Sequence, residues 1–117
     1  MRMDEMDALA TAPKHHRLIF ENVSVRVLET VVRPGETVPL HTHCWPSTMV
    51  VISGSDFVRR DAHGEVTLDS RAAGVVLEAG QALWSGPLPL HTFENVGETV
   101  VHVINVEIKP PASNLVP

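Results

Sequence analysis

The feature that most restricts what this chain can fold into is a series of short β-branched runs broken by turn residues. "VSVRVLETVV" (23–32), "STMVVIS" (47–53), "GVVLEA" (74–79), "QALWS" (81–85) and "TVVHVINVEIK" (99–109) each have strand length. Between them fall Pro34-Gly35, Ser53-Gly54, His63-Gly64, Ala79-Gly80, Gly86-Pro87 and Asn95-Val96-Gly97-Glu98, all turn signals. Breaks about every 8–12 residues predict an all-β sandwich or barrel. No apolar period of about 3.6 residues persists over three turns, so long helices are not expected. No internal repeat or low-complexity tract is seen.

The 117 residues, 44% of them hydrophobic, fit one compact domain with a core that needs no disulfide. Residues 17–109 are expected to form the barrel, 1–16 a flexible arm and 110–117 an irregular proline-containing tail. Net charge is −5 and cationic residues are scattered, which argues against nucleic acid as a partner. Cys44 is the single cysteine, so no intrachain disulfide forms. The N-terminus shows no apolar signal region and no apolar run approaches the roughly 20 residues of a membrane span, so a cytoplasmic protein without membrane association is expected.

Candidate chemistry lies in the histidines. In a strand, residues i and i+2 share a face, so the "HTH" of His41-Thr42-His43 projects two imidazoles side by side. His91 comes from a later strand, with Phe93 and Asn95 on its face. His15, His16 and His63 read as surface or hydrogen-bonded residues, the first two within the arm. A two-residue hairpin at Gly97-Glu98 would set Phe93 across from His102, making His102 a candidate pocket residue.

Gly35, His41, His43 and Gly54, followed by Gly80, His91 and Asn95, are spaced so that they resemble the two motifs of the cupins over residues 20–108. The resemblance implies a small jelly-roll barrel, also called a double-stranded β-helix. It also implies one divalent transition metal (Fe, Ni, Zn, Mn or Cu) held by His41, His43 and His91. The pattern's glutamate ligand is absent, and Ser47 stands in its place. Ser47, Met49, Trp84, Phe93, His102 and Trp45 are the expected pocket lining. Cys44, next to His43, is expected to point away as a packed thiol.

A three-imidazole site leaves a divalent ion its full charge and open positions, which favours small anionic chelating ligands. Three-histidine cupins include dioxygenases, so the resemblance implies oxygenase-type chemistry or, failing turnover, a sensor or accessory role. With no tyrosine in the chain, tyrosine-dependent chemistries of this fold are excluded. A homodimer paired through edge strands is the expected assembly.

Overall fold

The computed structural model of the protein describes residues 5–111. Nine strands and two helical turns follow one another: α1 Ala8–Thr11, β1 His16–Glu21, β2 Val25–Val32, β3 Thr37–His43, β4 Ser47–Ser53, β5 Phe57–Asp61, β6 Val66–Asp69, α2 Ser70–Ala73, β7 Ala82–Ser85, β8 Leu88–Asn95 and β9 Val101–Ile108. They form two antiparallel sheets, β1-β2-β9-β4-β7 and β3-β8-β5-β6, facing one another as an all-β jelly roll. No helix among the described residues is long and apolar enough to cross a membrane.

Alternation sets the inner face of each strand. On β9, Val101, Val103, Asn105 and Glu107 are buried while the residues between them turn outward. Val32, Val38, Val51, Val101 and Val103 from four strands meet Ala12 in the core, with Leu77, Leu83 and Phe93 packed against them. Asn95, fully buried, donates from Nδ2 to the Val32 and Thr99 carbonyls and so ties β8 to the end of β2.

Three sequence expectations change. Residues 5–16 are not an arm apart from the barrel. Asp7 caps α1, Ala8 and Ala12 are buried, Asp7 bridges to Thr42, and the Thr11 hydroxyl donates to the Leu40 carbonyl. The small side chains Ala8 and Ala12 let this turn sit tightly on β3, a packing that strand periodicity does not reveal. Residues 74–79 are not a strand. Gly74, at φ 68°, ends α2 in the left-handed conformation. The segment then crosses the barrel mouth with Val75 and Leu77 half-buried and Val76 exposed. Finally, β8 and β9 are not partners in a hairpin, because they belong to opposite sheets. Of the tail, Pro110 and Pro111 are irregular and the rest lies outside the described residues.

Candidate metal centre

His41 and His91 face one another directly across the β3–β8 ladder, their ring centroids 4.2 Å apart. Each closes the same tetrapeptide start, Pro-Leu-His-Thr, at 39–42 and 89–92. In both, the ring Nδ1 lies 2.7 Å from the carbonyl of the proline two residues back. His43, two residues along β3, brings its ring to 5.0 Å from His41 and 5.8 Å from His91.

A fourth imidazole enters from the other sheet. His16 opens β1, is 5% exposed, and its ring lies 5.1 Å from His41 and 5.5 Å from His43. Potential ligand atoms of His16, His41 and His43 all fall within 4.8 Å of one another, a triple that takes in His16, expected at the surface, where the expected third member was His91. Burial of α1 and pairing of β1 with β2 carry it inward. Nothing local in the sequence marks His16 as different from His15, which is also buried and bonds from Nδ1 to the Val31 carbonyl. The one available signal was the doublet itself, standing before the apolar run "LIF".

The tautomers follow from the acceptors. Nδ1 of His16 faces the Ala12 carbonyl at 3.0 Å, and Nδ1 of His43 faces the Glu107 carboxylate at 3.0 Å. Carbonyls and carboxylates only accept, so all four Nδ1 atoms donate. In the neutral rings every Nε2 is left with a bare lone pair, the form a metal requires. Burial, reinforced by neighbouring imidazoles, holds His16 and His41 neutral by lowering their pKa to about 3. Burial does the same for His91, at about 4. Tetrahedral nitrogens about 2.0–2.1 Å from one ion lie about 3.4 Å apart. A triple spanning up to 4.8 Å therefore closes on an ion by side-chain movements of the order of an ångström. The donor set fits a borderline transition metal better than calcium or magnesium, which take oxygen ligands.

The carboxylate missing at Ser47 has a counterpart one strand away. Ser47 pairs directly with Glu107 of β9, and both are buried. Glu107 accepts from His43 Nδ1 through one oxygen and from Arg26 Nε, at 2.6 Å, through the other. Arg26 in turn forks onto both oxygens of Asp7, at 2.8 and 2.9 Å. Burial opposes the charges on Arg26 and Asp7, but their mutual hydrogen bonds prevail, raising the Arg26 pKa and lowering that of Asp7. Two carboxylates against one guanidinium leave one net negative charge directly behind His43. That charge sits behind a candidate ligand and is relayed to it by one hydrogen bond.

All four histidines line one cavity of about 280 Å³, walled mainly by apolar side chains that include the expected Met49, Trp84 and Phe93. Trp84, 66% exposed, stands at its mouth. Ser47, Trp45 and His102 are not in the lining. Ser47 is covered by its β7 and β9 neighbours. Trp45 is buried behind the site, its ring 5.3 Å from the Arg26 guanidinium and 5.6 Å from Lys109 Nζ. His102 faces outward on β9 and bonds to Glu29 at 2.8 Å, because the hairpin that would have turned it inward does not form. Arg59, which no motif in the sequence marks, also lines the cavity.

No family model matches the sequence, and no curated protein does. Solved structures do match in fold. A cupin domain from Bordetella pertussis Tohama I is 19% identical with a TM-score of 0.65, over 81% of this chain and 92% of that one. A conserved protein with a double-stranded β-helix domain from Klebsiella pneumoniae is 22% identical with a TM-score of 0.56, over 83% and 76%. The polyketide cyclase RemF from Streptomyces resistomycificus is 20% identical with a TM-score of 0.54, over 82% and 66%.

Proposed function

The chain has the cupin fold, a double-stranded β-helix with three histidines close enough to hold a metal, and from this premise we propose that it is a metal-dependent protein acting on a small anionic ligand, with oxygenase-type chemistry. The observation that carries the reading is the common tautomer: His16, His41, His43 and His91 each engage Nδ1, which leaves Nε2 unprotonated in the neutral ring, and all four line one cavity. A divalent ion bound there supplies a Lewis acid, or with iron a site that takes ligand and O₂ together. The residues of the chain do the rest. His41 and His91 are held in orientation by the proline carbonyls. Glu107 fixes the His43 proton on Nδ1. The apolar walls exclude water and select a compact, largely hydrophobic ligand.

Elemental analysis of protein purified without a histidine tag, followed by O₂ uptake with β-diketones, thiols and 2-oxo acids, tests this. Stoichiometric transition metal with ligand-dependent O₂ consumption supports it. Metal with tight ligand binding and no turnover assigns the sensor or accessory role, and metal-free protein refutes the centre. The proposal extends to a homodimer through β1, an edge strand that leaves Leu18, Ile19 and Phe20 each at least 40% exposed. Sedimentation of Phe20→Asp as a monomer beside dimeric wild type checks that.

A further inference from the structure

Arg59 is the cation of the cavity. It lies on β5 directly opposite Phe93 of β8, so its side chain shares the inner face with Phe93 and His91, while Arg60 faces the other way onto Glu94 at 2.8 Å. His91 is one inward-facing position further along the same ladder, about 7 Å away by strand rise. The groups around Arg59 on that face are Phe57 and Asp61 on its own strand, Leu68 across on β6, and Phe93 and His91 on β8. Asp61 is the acid among them, and its carboxylate caps the following turn, accepting from the His63 and Glu65 amides. Among the described residues no carboxylate lies within 4.0 Å of the Arg59 guanidinium, and no side chain or carbonyl accepts from it. Burial alone lowers the Arg59 pKa.

A guanidinium brought into an apolar cavity without an acceptor is costly unless something completes it. We propose that Arg59 is the anion anchor of this cavity, binding the carboxylate of a small monoanion whose apolar body lies against Leu77, Leu83, Phe93 and Val103 and whose other end faces the histidines. The size follows from the space. A cavity of about 150 Å³ accepts benzene, so 280 Å³ suits an aryl or branched-alkyl carboxylate of about a dozen non-hydrogen atoms. The inference deepens the metal-dependent reading above by naming the ligand's anchoring group, but the anchor itself operates with or without the ion.

The test compares phenylacetate with phenylacetamide, equal in shape and different in charge, by calorimetry on full-length protein in metal-free and zinc-loaded forms. Wild type is expected to prefer the acid by about 10- to 100-fold in both forms, the range of a hydrogen bond to a charged group. Arg59→Gln is expected to abolish the preference while retaining wild-type zinc content and thermal stability, and Arg59→Lys to keep part of it. Absence of binding or of preference in wild type overturns the proposal. So does a preference that survives in Arg59→Gln, or one seen only with zinc bound, since the ion would then hold the carboxylate. If wild type takes up no metal yet prefers the acid through Arg59, the metal reading fails and the anchor stands.

Discussion

Glu107→Gln removes one atom's worth of charge and leaves the shape, and its consequences can be worked from two hydrogen bonds. Glu107 serves two donors, Arg26 Nε–H at 2.6 Å and His43 Nδ1–H at 3.0 Å. A glutamine has a single acceptor oxygen, so one donor meets an NH₂. Arginine has no way to become an acceptor, whereas an imidazole does. The His43 proton therefore moves to Nε2, Nδ1 accepts from the new amide, and the nitrogen facing the cavity carries a hydrogen. That form does not ligate. Loss of an outer-shell partner of this kind typically costs 10- to 100-fold in metal affinity. The metal-free fold loses a charged hydrogen bond, about 1.5–3 kcal/mol, and not the larger penalty of an abandoned charge, because Asp7 still forks onto Arg26. Competition against a chromogenic chelator reads the affinity, and two-bond ¹H–¹⁵N spectra read the His43 tautomer. A folded variant with wild-type affinity and the Nδ1–H tautomer refutes this reasoning.

Other expectations follow from the same structure. His16, His41 and His91 have folded pKa values of about 3, 3 and 4 against an unfolded 6.5. Stability is therefore full above pH 6.5 and is lost as pH falls toward 4, because the unfolded chain takes up protons that the fold refuses. For metal-free protein, urea unfolding is expected to show less stability at pH 5.5 than at pH 7.5, by a few kcal/mol, on the order of 1 kcal/mol per ring. A flat profile would mean the rings are not buried neutral. Gly54→Ala sets a Cβ against the backbone carbonyl of Leu77, and is expected to destabilise by about 1–3 kcal/mol in the same assay. An unchanged midpoint would show that the crossing segment moves aside freely.

The parts of this molecule legible in the sequence are those fixed by short-range pattern. Alternation and turn chemistry mark β2, β4, β7 and β9, and the paired motifs bring His41, His43 and His91 to one wall. What escaped depends on which strands pair. His16 and Glu107 reach the centre because β1 and β9 both lie beside β2 in the five-stranded sheet. His102 turns outward because β8 and β9 separate into opposite sheets. Ser47 is a departure from the pattern on its own strand, but its meaning lies across the ladder in Glu107. Arg59 is not legible because "FVRRD" sets two arginines side by side, and only register decides which of them faces inward.

The proposed centre joins His16, His41 and His43, whose ligand atoms lie within 4.8 Å of one another, with His91, its ring 4.2 Å from that of His41, as a fourth ligand. Its most direct test is metal affinity, by chelator competition, of the four single alanine variants at His16, His41, His43 and His91. His15→Ala and His63→Ala serve as controls. The account predicts a loss of at least about tenfold for each of the four and wild-type affinity for both controls. A folded His16→Ala protein that binds metal as tightly as wild type would contradict it.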